Sequence, residues 1–221
     1  MSIKVRKLLS VFIAFLICFS SFPFQVNEVH AASAMAQVIL NDTSLGLSAE
    51  KKRTLATVTD AMLNAGFEPA FIAGALGNIA LEGSFGLFEG TTSSGHTTYM
   101  QYMNQHYQYY QRFSYKYIYN CNLTEVCNID NELYNLGYPG KFGLGCCQWT
   151  GRRTHCLLKN YKKVAGDSDT ITFEQVMVGE CLTMIEELNG DCTVSGHNFR
   201  SVYTNWLSQY SDNLSSATDF L

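Results

Sequence analysis

The stretch LGNIALEGSFG, residues 76–86, carries one carboxylate, Glu82, at the end of an apolar run and directly before a glycine. Residues 67–83 predict a helix, because Pro69 falls in its first turn and Gly83 lies just past its end. The apolar stripe of this helix predicts that it packs on a core. Glu82 is therefore expected at the C-terminus of a packed helix.

A carboxylate at that position has physical reasons to keep its proton. The negative end of the helix macrodipole disfavours a negative charge on Glu82. We expect Leu81 and Phe85 to shield the carboxyl from water, which favours the same protonated form. A carboxyl that holds a proton near neutral pH can act as the general acid of a glycosidase. The alternative is a structural glutamate that is hydrogen-bonded to backbone or to a buried arginine.

Residues 1–34 are typical of an export signal. Three positive residues, Lys4, Arg6 and Lys7, precede the apolar run LLSVFIAFLICFSSF, which is short for a membrane span. Small residues allow cleavage after Ala31 or after Ala34. We expect a secreted or cell-wall-associated protein without stable membrane insertion after cleavage, and an uncleaved N-terminal anchor is the alternative.

The remaining 187 residues are enough for one domain with a core. Residues 35–50 read as a short polar leader, and 51–221 as the domain, with a tyrosine-rich insertion at about 91–135. Beyond the signal the chain has 12 positive and 18 negative side chains. This acidic balance argues against a nucleic-acid partner, which requires a basic surface.

Seven cysteines follow the signal: Cys121, Cys127, Cys146, Cys147, Cys156, Cys181 and Cys192. Export makes disulfides plausible, and the odd number leaves at least one thiol unpaired or intermolecular. Cys121 and Cys127 could close a small loop. The spacings do not match a structural zinc site, and we expect neither a metal nor a cofactor.

Further helices are predicted from caps and apolar spacing. Ser48 is a candidate N-cap for a helix over 49–65, and two more helices end near Gly166 and near Gly190. The tail predicts one or two short helices. Residues 137–151 are rich in turn residues and predict a loop with a small hairpin. Residues 97–120 carry eight tyrosines and predict a helix packed on the core, or the wall of a groove.

Two blocks in order, FIAGALGNIALEGSFG and GLGCCQWTGRR, resemble the phage tail lysozyme family of the lysozyme-like superfamily. The residues that match its motifs are Gly74, Leu76, Gly77, Asn78, Ile79, Glu82 and Phe85, then Gly143, Gly145, Gln148, Trp149, Thr150, Gly151 and an arginine at 152 or 153. The resemblance covers roughly residues 51–190. One departure is Gly83, where the family has a serine.

The resemblance implies an α+β, predominantly α, lysozyme-like fold with a small hairpin or loop lobe. It implies that Glu82 is the general acid acting on the glycosidic bond between amino sugars of peptidoglycan glycan strands. Gln148 and Trp149 would line the same cleft, together with Asn78 and Thr150. The alternative for the first two is a glutamine that braces the loop and a tryptophan in the core.

A second carboxylate would decide the type of reaction. Glu89, Asp130 and Glu132 lie between the two blocks and could act as nucleophile or base. Without such a partner, a lytic transglycosylase route is open, in which Glu82 serves as acid and then as base. We favour hydrolysis.

Two other functions compete with this interpretation. A cysteine peptidase or amidase could use Cys146 or Cys147, activated by His155 or His197. A catalytically silent glycan-binding protein would fit the departure at Gly83 and the excess of aromatic residues. The sequence makes no prediction about the oligomeric state.

Overall fold

The computed structural model describes residues 32–89, 113–135, 137, 143–191 and 199–210, except the side chains of 209 and 210. These ranges are mostly helical. Their seven α-helices are α1 Ala34–Asn41, α2 Ala49–Asn64, α3 Pro69–Leu81, α4 Leu123–Asn135, α5 Arg152–Ala165, α6 Phe173–Asn189 and α7 Arg200–Tyr210.

Four helices begin or end at the residues that the sequence predicted. The Ser48 hydroxyl accepts from the Lys51 N–H at the start of α2, which fixes its first turn. Helix α3 has Pro69 in its first turn, and α5 stops before Gly166. Helix α6 starts with a capping box at Thr172 and ends before a left-handed Gly190. These helix predictions are confirmed.

Helix α1 lies where the sequence suggested only a polar leader. The Ser33 hydroxyl caps it by accepting from the Ala36 N–H at 3.1 Å. The Ser33 N–H in turn donates to Asp60 of α2 at 3.0 Å. Ala36 is fully buried, and α1 packs along α2. This segment is therefore part of the packed domain, although its exposed Val38 and Leu40 give it no clean apolar face in sequence.

Helix α4 lies inside the stretch that the sequence treated as insertion. Asn122 caps it by accepting from the Glu125 N–H at 2.8 Å, and Leu123, Val126 and Leu133 are buried against the core. Residues 97–112 of the predicted tyrosine-rich helix lie outside the described ranges. Of residues 113–120, Ile118–Asn120 form a single turn of 3₁₀-helix.

Helix α6 runs through the middle of the described core and packs on α2, α5 and α7. Its buried face combines apolar residues with two glutamates, Glu180 and Glu187. Buried carboxylates require hydrogen-bond donors. For Glu180 and Glu187 these donors include residues of the loops at the candidate site.

Strand structure in the described ranges is limited to isolated bridges. Leu144 pairs with Trp149 and with Phe88, and Leu87 pairs with Tyr117. The small hairpin lobe expected from the sequence is thus reduced to a tight loop at 143–150, closed by mutual hydrogen bonds between Leu144 and Trp149. No helix within the described ranges has the length and apolar character needed to cross a membrane.

Candidate active site

Glu82 lies at the C-terminus of α3, as predicted. Its N–H bonds the carbonyls of Asn78 and Ile79 at 3.2 and 3.3 Å, and its side chain is exposed to solvent. It opens on a cavity of about 280 Å³ between α3, α6 and the first residues of α5 and α7. The other lining residues are Phe71, Ala75, Asn78, Ile79, Cys147, Arg153, Met184, Glu187, Leu188 and Phe199.

The shielding of this carboxyl differs from expectation. Leu81 is 87% exposed and points away from the core, while Phe85 is fully buried and packs edge-on against Phe173. Neither side chain encloses Glu82. The low-dielectric surface nearest to the carboxyl is the apolar wall of the cavity, which includes Phe71 and Leu188.

Lys51 of α2 caps the end of the helix that carries Glu82. Its ammonium donates to the Ile79 carbonyl at 3.0 Å, to the Glu82 carbonyl at 3.5 Å and also to the Gly83 carbonyl. A cation at a helix C-terminus is favourable and satisfies carbonyls that have no helical partner. Burial lowers the pKa of Lys51, and the nearby carboxylates of Glu82 and Glu50 oppose that shift. Lys51 thus fixes the backbone from which Glu82 projects.

Gln148 braces the loop behind Glu82. Its backbone adopts φ 46°, unusual for a residue with a side chain, and its amide donates to the carbonyls of Gly145 at 2.8 Å and Leu87 at 3.4 Å. A side chain at Gly83 would overlap both the Gly145 carbonyl and the Gln148 amide. This packing gives a physical reason for glycine at the position where the family has serine.

Trp149 lies in the core rather than in the cavity wall. Its ring is fully buried, and its indole N–H donates to the Glu187 carboxylate at 3.0 Å. Arg153 makes two further bonds to the same carboxylate, both at 2.8 Å, and its guanidinium lies 4.8 Å from the ring of Phe199. The indole therefore offers no face to a sugar. Trp149 is thus a core tryptophan, the alternative that the sequence analysis gave for this residue.

Glu187 is a second carboxylate in the cavity, and sequence analysis missed it. It is 4% exposed, and three donors from Trp149 and Arg153 occupy its oxygens. Hydrogen bonds from a guanidinium to a carboxylate are short and fix the geometry of both partners. Its role in the described structure is to hold Trp149 and Arg153 in place.

Glu180, also missed, joins the two loops of the site. It is fully buried and accepts from the N–H groups of Gly86 and Cys146 at 2.6 and 2.7 Å, and from the Tyr161 hydroxyl at 2.6 Å. Burial raises its pKa to about 7, opposed by these hydrogen bonds. Gly145 lies so close that a Cβ there would be 2.6 Å from the carboxyl carbon. In sequence, the signal was two glutamates seven residues apart on the apolar face of one helix.

The three predicted candidates for a second carboxylate lie in different places. Glu89 is exposed and accepts from the Gly143 N–H at 3.0 Å, which places it on the same loop assembly as Gln148. Asp130 is buried 2.6 Å from the Nδ1 of His155. Glu132 is exposed on α4. None of the three lines the cavity of Glu82.

The two remaining predicted substrate contacts, Asn78 and Thr150, lie in different places. Asn78 lines the cavity one helical turn before Glu82, with its side-chain amide donating to the Gly74 carbonyl at 3.3 Å. Thr150 is exposed outside the cavity, and its carbonyl accepts from the Arg153 N–H. Of the predicted substrate contacts, Asn78 is therefore the one that shares both the helix and the cavity of Glu82.

The cysteines near the site do not form a nucleophile pair with His155. Cys147 lines the cavity, but the histidine pairs with Asp130 and does not reach that cavity. Burial raises the pKa of Cys146 well above its ordinary value, which disfavours a thiolate. His197, the other candidate base, lies outside the described residues.

Cys127 and Cys156 do not line the cavity of Glu82. Cys127 carries a free thiol, so it does not close the small loop suggested with Cys121. Cys156 is bonded in a disulfide. Within the described ranges, His, Cys, Asp and Glu form no group of three that could hold a metal ion.

Comparison with known proteins identifies the family. A family model described as phage tail lysozyme matches residues 53–220, which include Glu82, the loop at 143–150 and both buried glutamates of α6. No curated protein and no solved structure is found to match the chain. Because the family model spans well over half of the chain, this protein belongs to the phage tail lysozyme family.

Proposed function

We propose that this protein cleaves the glycosidic bond between amino sugars of peptidoglycan strands, with Glu82 as the general acid. Membership of the family implies lysozyme-like activity on peptidoglycan. The proposal concerns which residue carries the reaction and on which bond. We also propose that the protein acts outside the cell, as the export signal at residues 1–34 suggests.

One contrast within the cavity carries the proposal. Glu187 is held by three donors, whereas the Glu82 side chain has no hydrogen-bond or ion-pair partner among the described residues. A general acid must be free to approach the oxygen of the leaving group within hydrogen-bond reach. Glu82 meets this requirement because its side chain is exposed, while Lys51 fixes the backbone at the end of its helix by a hydrogen bond to the Ile79 carbonyl.

The proposed reaction begins with the transfer of one proton from Glu82. The Glu82 carboxyl donates its proton to the glycosidic oxygen as the bond to the anomeric carbon breaks, and the resulting carboxylate stabilises the positive charge on the sugar. In hydrolysis, water then attacks the anomeric carbon and loses a proton to a carboxylate base. In transglycosylation, a hydroxyl of the same sugar attacks instead, and Glu82 takes its proton.

We favour hydrolysis, with Glu89 as the candidate for the second carboxylate. Asp130 is committed to His155, and Glu132 lies on a different helix, whereas Glu89 belongs to the loop assembly that contacts Gly83 through Gln148. Products decide between the two routes. New reducing ends indicate hydrolysis, and anhydro ends indicate transglycosylation.

The test is digestion of purified peptidoglycan by the wild-type chain and by Glu82→Gln, with released fragments identified by mass spectrometry. We expect Glu82→Gln to lose roughly 10²- to 10⁴-fold in rate, the usual contribution of a general acid. Glu68→Gln is the matched control, because Glu68 is exposed at the other end of the same helix. Full activity in Glu82→Gln, or cleavage in the peptide stems instead of the glycan, would overturn the proposal.

A further inference from the structure

A second cavity, of about 390 Å³, lies beside the first turn of α2. Its lining residues are Glu50, Arg53, Tyr119 and Phe173, and none of them lines the cavity of Glu82. The volume lies within the range of small-ligand sites, about 300–1,000 Å³. The combination of two aromatic rings with one acidic and one basic side chain suggests a defined type of ligand.

The aromatic side chains are held in place by each other. The Tyr119 ring packs edge-on against Phe173 at 5.7 Å and stacks on Tyr117 at 5.0 Å. The Arg53 guanidinium lies 5.6 Å from the centre of the Phe173 ring. Tyr119 and Phe173 are half-buried, so packing restricts each ring while part of it remains accessible. Restricted rings lose little conformational entropy when a ligand packs on them.

The polar groups around these rings supply both donors and acceptors. Glu50 accepts from the Tyr117 hydroxyl at 3.0 Å and brings a carboxylate to the cavity, while Arg53 brings only donors. Burial raises the pKa of Tyr117 to about 12, with Glu50 adding to the shift, and both causes also raise the pKa of Tyr119. Both tyrosines therefore remain neutral hydroxyls, able to donate and accept.

The cavity adjoins the loop that carries Glu82. Lys51, which lies between Glu50 and Arg53 in sequence, bonds the carbonyls of Ile79 and Gly83. On the other side, the Ile118 N–H donates to the Gly86 carbonyl at 2.8 Å, and a Cβ on Gly86 would lie 3.4 Å from the Tyr119 ring. Chain neighbours of the lining residues Glu50 and Tyr119 are thus bonded to the backbone of residues 79–86.

We propose that this cavity binds an amino sugar of the glycan strand at a position away from the bond that is cleaved. The apolar face of a sugar ring packs on Tyr119 or Phe173, and its hydroxyl and acetamido groups bond Glu50 and Arg53. The inference rests on the proposed function, because it takes the same polysaccharide as its ligand. A glycan strand that passes over residues 79–86 contacts both Glu82 and this cavity.

The test measures binding in an inactive background, so that cleavage does not interfere. The full chain carrying Glu82→Gln is titrated with soluble peptidoglycan glycan fragments of increasing length, alone and combined with Tyr119→Ala or Arg53→Ala. We expect each added substitution to weaken binding of long fragments roughly five- to tenfold, the scale of one aromatic or charged contact. Tyr115→Ala is the matched control, because Tyr115 is 67% exposed and lies outside the cavity.

Fragment length separates a binding site from a structural role. With the active chain, Tyr119→Ala is expected to raise KM for long strands and to leave kcat, and KM for the shortest cleaved fragment, unchanged. Arg53 is exposed, so Arg53→Ala tests the site even if Tyr119→Ala does not fold.

Equal binding of long fragments by Arg53→Ala and Tyr115→Ala would overturn the inference, as would an equal loss on fragments of every length. The two proposals fail separately. If Glu82→Gln retains full activity while Arg53→Ala in the active chain raises KM for long strands only, the assignment of the acid is wrong and the glycan site stands.

Discussion

Glu82, at the end of α3, and Glu180, within α6, are two glutamates in opposite environments. Glu180 is fully buried, with three donors fixed on its oxygens, whereas Glu82 is exposed without a side-chain partner in the described ranges. The backbone N–H of Gly86, four residues after Glu82, is one of the groups that Glu180 binds. The buried carboxylate holds the loops together, whereas the exposed one makes no such contact within the described ranges.

Substituting Glu180 should have the largest effect on stability. Glu180→Ala leaves the N–H groups of Gly86 and Cys146 and the Tyr161 hydroxyl without their acceptor, at about 1–3 kcal/mol for each buried group. We expect the free energy of unfolding to fall by about 4 kcal/mol or more in denaturant titrations. Glu82→Gln should change it by less than about 0.5 kcal/mol. Similar losses in both variants would remove the contrast between them.

Gly145→Ala tests the close approach of the loop to Glu180. The new Cβ would lie 2.6 Å from the carboxyl carbon, at a residue whose φ is +79°. We expect a loss of about 3 kcal/mol, from overlap in addition to backbone strain. Gly46→Ala is the control for strain alone, because its φ is +64° and nothing lies within 4 Å of the new Cβ. It should lose about 1 kcal/mol, and an equal loss in both would show that overlap contributes nothing.

Glu180 should also make stability depend on pH. Its pKa is raised from 4.5 to about 7 in the folded protein, chiefly by burial. Between these values the folded state binds more protons than the unfolded state, so the stability from this group is present below pH 4.5 and is lost as the pH rises to about 7. The expected loss is about 3 kcal/mol. Glu180→Gln should remove this slope, and a slope that persists in the variant would assign it to other groups.

Lys51 bonds the backbone carbonyls at the end of the helix that carries Glu82. Lys51→Met removes the cation that binds three carbonyls at this helix end. We expect stability to fall by about 1 kcal/mol and kcat to fall roughly tenfold through misplacement of Glu82, with KM little changed. Lys51→Arg should recover most of the activity. Lys52→Met is the control, because Lys52 donates to none of these carbonyls, and an equal effect of both methionines would contradict the role of Lys51.

The smallest effect is expected at Cys147. Its thiol lines the cavity of Glu82, 3.9 Å from the thiol of Cys146. Cys147→Ser keeps the shape of the wall, and glycan cleavage should remain within about twofold of the wild type. If activity disappears while the variant stays folded, the exposed glutamate is not sufficient, and the thiol takes part in the reaction.

Local sequence signals predicted the ends of α2, α3, α5 and α6, but not helices α1 and α4 or the contacts between loops. Ser48, Pro69, Thr172 and Gly190 mark helix ends through their own backbone preferences, and the position of Glu82 at a helix end follows from the same signals. The burial of Trp149 and the inward turn of Gln148 depend on residues far away in sequence, namely Glu187 and Leu87. The resemblance of GCCQWTG to the family motif implied a cleft wall, whereas tertiary packing buries Trp149 and makes Gln148 a brace of the loop.

Helix α1 has a consequence for maturation of the chain. If an export signal is removed after Ala34, the mature protein begins at Met35 and lacks Ser33, which caps α1 and bonds Asp60. Cleavage after Ala31 leaves both bonds intact and makes Ala32 the new amino terminus, one residue before Ser33. The choice of the processing site would then set how firmly the first helix is attached to α2, and N-terminal sequencing of the secreted protein would read that choice directly.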